Sequence, residues 1–422
     1  MTIIVKKFGG TSVGSLQRIH AAATRVATFR SKHPDAQIVV VASAMSGETD
    51  RLLSLARNLT QNTYPRELDA VAATGEQVSC ALLAMALEDA GVPAISLNAF
   101  QLPILTDQQH QSAHIERISS ERVQNELAQG KTVVVTGFQG ITAGGDLTTL
   151  GRGGSDISAV ALAAALRAEA CYIYTDVDGV YSADPRIVKQ PRRMGKVSHE
   201  EMLELASLGA KVLHPRSVFF AMRYKVPLVV LSSFSHGGGT WIVSEDRIME
   251  KPSIVGIAYR LDEAKLTVER LSSTSQPLKL IFSALAKEQI GLDMITQTGY
   301  SNGHTDISFN VPDEKSERAL HIVQQLVPEL GARGASLERD LARVSVVGAG
   351  IRYHADVAAR VFSLLAGEGI DVRMISTSDI RISVVVPRKY CEVAVRVLHD
   401  GLIDLSETPG EIPVESVSVP AV

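Results

Sequence analysis

The chain has little cysteine for its length. Its 422 residues include three cysteines, Cys80, Cys171 and Cys391, which lie far apart in apolar surroundings. A disulfide framework or a cysteine-based metal site needs clustered or regularly spaced cysteines, and this spacing provides neither. We therefore expect reduced, buried thiols and no metal site built by the protein alone.

Strong net charge and long apolar runs are also absent. The formal net charge is −4, which offers no basic surface to a nucleic acid. No apolar run approaches the roughly 20 residues that span a bilayer, and the first residues lack the layout of a signal peptide. These absences predict no nucleic-acid partner and no membrane partner, and they place the chain by default in the cytoplasm.

The first 245 residues have the pattern of an α/β fold. Short apolar runs such as residues 3–5 and 38–41 alternate with stretches of helical periodicity. Buried β-branched runs of this length are typical of a mostly parallel sheet. In such folds, ligands gather at the carboxyl ends of the strands.

An internal repeat follows a probable boundary at residues 244–253. Residues 264–268 resemble residues 342–346, and Met294 recurs 80 positions on as Met374. Each copy predicts a strand, a helix, two strands and a further helix. Two adjacent copies of one small unit predict paired modules that share an interface.

Two glycine-rich turns, about 140 residues apart, are the main functional signal. Residues 7–12 (Lys-Phe-Gly-Gly-Thr-Ser) follow the first strand, and residues 151–156 (Gly-Arg-Gly-Gly-Ser-Asp) precede a helix. Glycine allows positive φ and close approach of the backbone to a ligand, and a helix N-terminus attracts phosphate. Strand alternation places Lys7 at the turn and Lys6 on the other side of the sheet. The pair of turns therefore favours phosphoryl transfer, with Lys7 at the transferring group.

Other polar residues have both a functional and an ordinary interpretation. Arg152 suits bidentate binding of a carboxylate. Asp156 is either catalytic or a favourable acid in the first helical turn, and Ser155 is a candidate N-cap. Glu76, beside Gly75 in an apolar helical stretch, is either a ligand for a substrate ammonium or a solvated residue.

The acidic segment 174–186 follows another strand and favours a nucleotide site over a calcium loop, because it lacks the EF-hand glutamate and central glycine. Here Tyr181 would pack on a base or ribose and Arg186 would bind phosphate. Lys211 could join them, although a lysine at such a position is more often solvated. His214, which precedes a proline, is better explained as structural.

Taken together, these motifs resemble those of the aspartokinases, in that family's order and over nearly the whole chain. The matching segments are residues 7–12, 74–76, 149–156, 175–181 and 184–186. The resemblance implies ATP-dependent phosphorylation of the side-chain carboxylate of L-aspartate to 4-phospho-L-aspartate, the first step towards lysine, threonine and methionine. It implies Mg²⁺ carried by ATP, largely through the phosphates.

The resemblance also assigns roles to individual residues. It makes Lys7 and Asp156 catalytic. It implies aspartate binding by five residues: Ser43, Thr49, Glu76, Arg152 and Ser155. It implies nucleotide binding by Lys7 and eight others: Gly9, Gly10, Thr175, Asp176, Tyr181, Arg186, Lys211 and Val212.

The implied architecture is a three-layer αβα amino-acid-kinase domain (1–245), a linker (246–262) and two ferredoxin-like βαββαβ ACT modules (263–336 and 337–422), with a C-terminal tail that could complete the first. We expect the modules to form a dimer or higher homo-oligomer and to bind an amino-acid effector. Residues 272–277 lack the acid and glycine usual at the effector turn, which predicts weak or altered feedback by lysine or threonine. The alternatives are a kinase of glutamate or acetylglutamate, and a non-catalytic amino-acid sensor.

Overall fold

The computed structural model describes residues 2–210, 212–235, 237–244, 253–272, 275–301 and 303–404. The strands of the first part of the chain are β1 (Ile3–Phe8), β2 (Gln37–Ala42), β3 (Ala94–Leu97), β4 (Ile104–Thr106), β5 (Ile115–Ile118), β6 (Thr132–Thr136), β7 (Gln139–Ile141), β8 (Leu147–Thr149), β9 (Ala170–Thr175), β10 (Lys196–Ser198), β11 (Leu228–Ser232) and β12 (Thr240–Val243). Its helices are α1 (Leu16–Lys32), α2 (Glu48–Leu59), α3 (Pro65–Ala72), α4 (Thr74–Asp89), α5 (Glu121–Ala128), α6 (Gly154–Leu166), α7 (His199–Ser207) and α8 (Pro215–Tyr224).

The remaining elements form the second part. Its strands are β13 (Ser253–Ser272), β14 (Asp293–Ser301), β15 (His304–Pro312), β16 (Gly334–Ala349), β17 (Met374–Thr377) and β18 (Arg381–Pro387). Its helices are α9 (Ser275–Lys287), α10 (Asp313–Leu330), α11 (Ala355–Gly367) and α12 (Cys391–Leu402).

The first part is built on an eight-stranded sheet in the order β10-β12-β11-β9-β1-β2-β6-β3, in which all pairs except β11/β12 are parallel. Strand β1 lies at its centre. Val5 packs into the core under α6 to α8, whereas Ile4 packs into the core under α1 and α4. Both faces of the sheet are therefore covered by helices, and the predicted three-layer αβα architecture is confirmed.

A small sheet in the order β5-β4-β7-β8 extends this part of the chain. Strand β8 ends at Thr149, two residues before the second glycine turn begins at Gly151. The small sheet thus positions that turn at the carboxyl edge of the main sheet, where β6 and β2 also end.

The three cysteines are buried free thiols, as predicted. Burial raises the pKa of each thiol, to about 12 for Cys80 and Cys391, so that they stay protonated at neutral pH.

One helical stretch, Pro65–Asp89, is long and apolar enough by composition to pass a test for membrane spans, although the sequence pattern indicated none. Core helices pass the same test. Leu83 and Leu87 of this stretch are fully buried against the main sheet, so core packing accounts for its composition.

The second part contains one six-stranded sheet in the order β14-β15-β13-β16-β18-β17. Strands β13 and β16 are long antiparallel partners, and each serves both halves of the sheet. The first half has the strand order β14-β15-β13-β16, and the second half has the order β17-β18-β16-β13. The strand–helix–strand–strand–helix pattern predicted for each copy is present in both.

Part of the predicted linker is sheet. Residues 253–262 lie within β13, and residues 253–260 pair with residues 343–349 of β16. They supply an edge strand to the second half. This pairing is long-range, so the local change of sequence pattern at the boundary does not reveal it. The tail from residue 405 onwards lies outside the described residues, so its predicted role in completing the first half stays a prediction.

The two parts of the chain are joined by polar contacts on α7. Glu204 Oε2 accepts a hydrogen bond from Arg381 at 2.9 Å, and Glu201 Oε1 accepts one from the N–H of Ala349 at 3.2 Å. These contacts hold β16 and β18 against the first part of the chain.

Candidate active site

Lys7 lies one residue before the end of β1, at the carboxyl edge of the main sheet. It is largely buried, and its Nζ lies 2.5 Å from Oδ1 of Asp156 in the first turn of α6. Lys6 points to the opposite face, as strand alternation predicts. There its ammonium lies over the ring of Phe29 and donates a hydrogen bond to the hydroxyl of Tyr174. Of the two lysines, Lys7 is the one that faces the site.

The first glycine turn needs glycine for close approach and not for left-handed backbone. Gly9 has a φ of −69°, and its N–H donates to the carbonyl of Tyr174 at 3.2 Å. A Cβ on Gly10 would lie 3.1 Å from the carbonyl oxygen of Ala44, and one on Gly9 would lie 3.4 Å from Nζ of Lys7. A side chain at either position would crowd the end of β1.

The second glycine turn does use left-handed backbone, with φ of +74° at Gly151 and +72° at Gly153. A Cβ on Gly153 would lie 2.3 Å from Cβ of His214, which packs against the turn and has the structural place expected for it. Gly153 is also the N-cap of α6, without a side-chain cap. The prediction that Ser155 caps this helix is therefore wrong, because α6 begins one residue before Ser155.

A cavity of about 590 Å³ opens at this edge of the sheet. Five of the predicted site residues line it: Lys7, Ser43, Arg152, Ser155 and Asp156. Arg152 is exposed, and no carboxylate in the described part of the chain pairs with it. Its guanidinium is thus available to an anionic ligand, while Lys7 and Asp156 form the floor.

Two predicted substrate residues do not line this cavity. Thr49 lies in the first turn of α2, next to Asp50, which does line it. Glu76 lies behind the segment that carries Ser43, where its Oε1 accepts a hydrogen bond from the N–H of Ala44 at 3.1 Å.

Glu76 is held in an unfavourable environment for a carboxylate. It is 3% exposed, and burial raises its pKa to about 7, although the hydrogen bond from Ala44 opposes this shift. The preceding Gly75 lets α4 approach closely, since a Cβ there would lie 2.9 Å from Cβ of Ala44. Oε2 of Glu76 is buried without a hydrogen-bond partner among the described residues. One oxygen is therefore fixed and the other is available to a cationic group.

Asp69, in α3, is a candidate site residue that the sequence analysis missed. It is 1% exposed and lines the cavity. It accepts hydrogen bonds from Oγ1 of Thr149 at 2.6 Å and from the N–H of Gln111 at 3.1 Å, and its Oδ2 lies 2.7 Å from Nδ1 of His110. Asp69 thereby ties a surface segment to the strand that leads into the second glycine turn. Asp69 lies on the same helix face as the buried Ala72, and this helical spacing is the sequence signal that could have indicated its burial.

A second cavity, of about 890 Å³, lies beyond the end of β9. Four of the predicted nucleotide-binding residues line it: Asp176, Tyr181, Arg186 and Val212. Thr175 does not line it, but its hydroxyl donates to Oδ1 of Asp176 at 3.1 Å. Lys211 lies outside the described residues.

The two cavities open at neighbouring strand ends. Strands β1 and β9 are parallel, with Phe8 opposite Tyr174, so that Lys7, Gly9, Gly10 and Thr175 share one edge of the sheet. Lys7 lines the first cavity, and its strand ends beside β9, beyond which the second cavity lies. This arrangement suits the transfer of an anionic group between two bound molecules. Among the described residues, no cluster of three or more His, Cys, Asp or Glu could hold a metal ion.

Comparisons with known proteins show which families and structures the chain resembles. The model of the amino acid kinase family matches residues 2–232, and that of the ACT domain matches residues 344–402. An aspartate kinase of Stutzerimonas stutzeri is 50% identical over 400 residues, which cover 94% of this chain and 97% of that protein. An aspartokinase of Pseudomonas aeruginosa is 49% identical over 414 residues, covering 97% of this chain and all of that protein.

Solved structures of similar fold include two of E. coli aspartokinase III. The complex with aspartate and ADP, in the R-state, is 27% identical with a TM-score of 0.78. The complex with lysine and aspartate, in the T-state, is 28% identical with a TM-score of 0.73. Each covers 95% of this chain and all of that chain.

The buried Glu76 leads to a test of stability against pH. Its pKa is about 7 in the folded protein and 4.5 ordinarily, so its ionisation destabilises the fold as the pH rises from 4.5 to 7. We expect Glu76→Gln to raise the free energy of unfolding at pH 8 by about 1–3 kcal/mol. The gain should shrink as the pH falls towards 5, as measured by urea denaturation.

Glu126→Gln is the matched control, because Glu126 is also buried but its hydrogen bond from Lys131 lowers its pKa. This variant should lose stability at pH 8. Equal destabilisation of both variants at pH 8 would show that the burial of Glu76 does not penalise its ionised form.

Proposed function

Because the chain belongs to the aspartokinases of the amino acid kinase family, we propose that it transfers the γ-phosphoryl group of ATP to the side-chain carboxylate of L-aspartate. The product is 4-phospho-L-aspartate, the first intermediate towards lysine, threonine and methionine, and the reaction takes place in the cytoplasm. The observation that carries the proposal is the Lys7–Asp156 pair, which lines the first cavity at the sheet edge where β1 and β9 end side by side.

We assign the first cavity to aspartate. The exposed guanidinium of Arg152 binds the α-carboxylate, since its fork matches a carboxylate. The free Oε2 of Glu76, buried behind the segment that carries Ser43, accepts from the α-ammonium. Ser155 supplies a hydroxyl from the cavity wall, and Thr49, beside the lining residue Asp50, supplies another.

We assign the second cavity to the nucleotide. Tyr181 and Val212 pack on the base or ribose, and Arg186 binds the phosphates. The backbone of Gly10 and the hydroxyl of Thr175 complete the nucleotide site at the strand ends, and Gly9 keeps the turn close to the carbonyl of Tyr174. Lys211 is proposed as a further phosphate ligand from its place in the family's motif. The relative in complex with ADP supports the use of a nucleotide here.

The residues of this edge fit a magnesium ion brought by ATP. Such an ion keeps most of its ligands from phosphates and water and takes one or two carboxylates from the protein. Asp176, exposed at the end of β9 and lining the second cavity, is the carboxylate placed for that role. When bound, the ion neutralises phosphate charge.

The reaction needs little from the protein beyond positioning of the two reactants and electrostatic stabilisation of the charge that develops. The side-chain carboxylate of aspartate is ionised at neutral pH, so it attacks the γ-phosphorus without a general base. As the bond to the leaving oxygen of ADP breaks, negative charge spreads over the transferring group. The Nζ of Lys7 stabilises that charge, and Asp156 keeps the ammonium aimed at the point of transfer.

The second part of the chain is the regulatory part. The ACT match covers its second half, and the first half has the same strand order, so we propose a second ACT module there.

Strands β14 and β17 are edge strands, and Ile295 and Ile375, at equivalent positions of the repeat, are 53% and 49% exposed. Exposed edges of this kind can pair between copies, so we propose a homodimer through the modules. An amino-acid effector binds this part. Ser273 and Thr274 of its altered turn lie outside the described residues.

The substrate assignment is tested by comparing acceptors in a coupled ATPase assay. We expect aspartate to be phosphorylated at least about 100-fold faster than glutamate or N-acetylglutamate at equal concentration. N-acetylglutamate has no ammonium to pair with Glu76, and glutamate is longer by one methylene. Faster turnover of N-acetylglutamate would reassign the chain to the runner-up kinase, and no turnover of any acceptor would favour an amino-acid sensor.

Lys7→Ala tests the transfer step. We expect kcat to fall by about 10²–10³, with the KM for ATP changed less than about threefold, because Lys7 acts on charge that forms mainly in the transition state. Lys32→Ala, at the exposed end of α1, is the matched control and should retain full activity. A folded Lys7→Ala protein with more than half of the original kcat would contradict the assignment.

Arg152→Lys tests the aspartate pocket. Lysine keeps the charge but cannot make the two-pronged contact, so we expect the KM for aspartate to rise by about tenfold or more. The KM for ATP, measured at saturating aspartate, should stay unchanged. A raised KM for ATP with an unchanged KM for aspartate would move Arg152 to the nucleotide side.

A further inference from the structure

One wall of the second cavity comes from the regulatory sheet. Ile257, Ala258 and Tyr259 of β13 line this cavity together with Asp184 and Arg186 of the kinase part. The same segment of β13 pairs with β16, where Tyr259 lies opposite Val344. A strand of the regulatory part therefore forms part of the surface that we assign to the nucleotide.

Tyr259 contacts the nucleotide side through a shared carboxylate. Its hydroxyl donates a hydrogen bond to Oδ2 of Asp184 at 3.0 Å. Asp184 also accepts hydrogen bonds from the backbone N–H of Arg186 at 2.9 Å, from its Nε at 3.0 Å and from its Nη2 at 2.7 Å. The Asp184 side chain is 17% exposed, whereas that of Arg186 is 75% exposed. Asp184 is thus a partly buried link between Tyr259 and the exposed guanidinium of Arg186.

The charges of this group favour the linked arrangement. The hydrogen bond from Arg186 lowers the pKa of Asp184, so the carboxylate remains an acceptor at neutral pH. Burial and the bond to Asp184 raise the pKa of Tyr259, so its hydroxyl remains a donor.

The backbone around Tyr259 packs closely against the kinase part. The N–H of Ile257 donates to the carbonyl of Ser182 at 2.7 Å. Gly209 has a φ of +117°, and a Cβ placed on it would lie 2.1 Å from the carbonyl oxygen of Tyr259. Close packing on both sides fixes the tyrosine relative to the cavity, independently of its hydroxyl.

We infer that Tyr259 is a positioning residue for the nucleotide, which holds Arg186 through Asp184 so that the guanidinium is ready for the phosphates. The inference rests on the proposed assignment of the second cavity to ATP. Without the tyrosine hydroxyl, Asp184 keeps Arg186 as a partner but loses its anchor to β13. Arg186 must then be ordered during binding, which weakens nucleotide affinity and leaves the aspartate pocket unaffected.

Tyr259→Phe in the full-length protein is the test, because it removes the hydroxyl and keeps the packing of the ring. We expect the KM for ATP and the Kd for ADP, the latter by calorimetry, to rise by about 3–10-fold. The KM for aspartate, kcat and the melting temperature should stay close to those of the unmodified protein. Tyr224→Phe is the matched control, since it makes the same deletion on an exposed ring of α8 and should change none of these values.

A double-mutant cycle with Asp184→Asn separates positioning from packing. In the Asp184→Asn background, Tyr259→Phe should have little further effect on ADP affinity, because both changes break the same link. Additive losses would overturn the inference. So would a Tyr259→Phe protein in which kcat, both KM values and the melting temperature change together, since this is the signature of a merely structural residue.

Arg186→Ala distinguishes failure of this inference from failure of the nucleotide assignment. If Arg186→Ala leaves ADP affinity unchanged, the assignment of the second cavity is wrong, and the inference falls with it. If Arg186→Ala weakens ADP binding while Tyr259→Phe does not, the assignment stands and the inference alone is overturned.

Discussion

The site depends on the parallel pairing of β1 with β9 at the centre of the main sheet. That register sets Lys7 opposite Ile173 and Phe8 opposite Tyr174, so both strands end at the same level. The Gly9 N–H then bonds to the carbonyl of Tyr174, and Lys7 lines the first cavity beside the strand end from which the second cavity begins. A shift of β1 by one residue would turn Lys7 to the face that holds Lys6 and place Lys6 at the cavity. The aromatic setting of Lys6, beneath Phe29 and against Tyr174, therefore helps to fix which lysine is catalytic.

Function at this edge is obtained at a cost in stability. Gly151 and Gly153 hold left-handed backbone that another residue would strain, and Gly75 weakens the start of α4 so that the helix can reach Ala44. Glu76 carries a carboxylate into a buried place where its pKa rises to about 7. These features oppose folding and are compensated by the two apolar cores that cover the sheet on both faces. The cores can compensate for these features because both are continuous across the five central strands of the main sheet.

Local sequence signals predicted what local geometry determines. Alternation along residues 3–8 placed Lys6 and Lys7 on opposite faces, and the repeat predicted the order of elements in both regulatory halves. Contacts between residues that are distant in sequence could not be predicted from local patterns. Asp69 looks like an ordinary helix acid until His110 and Thr149, distant in sequence, are seen to contact it. Residues 253–262 looked like a linker because nothing nearby reveals pairing with residues 343–349. Ser155 is not the N-cap of α6, because the left-handed Gly153 occupies that position. Sequence patterns place a helix end only to within one or two residues.

The double membership of β13 gives the regulatory part a direct physical connection to the kinase part. The strand pairs with β15 at one end and with β16 along its length, and its segment 257–259 also lines the second cavity. A ligand that binds one arrangement of the regulatory sheet more tightly than another must therefore bias the position of this wall. Coupling of binding free energies is reciprocal, so a nucleotide that favours one position of the wall must change the affinity of the regulatory ligand by the same factor. The hydrogen bond from the N–H of Ile257 to the carbonyl of Ser182 and the bond from Tyr259 to Asp184 tie β13 to the loop that carries Asp184 and Arg186, so a movement of one favours movement of the other. The contacts of Glu201 and Glu204 in α7 with Ala349 and Arg381 give the regulatory part a second connection, so the wall of the second cavity is one of two places where the parts are joined.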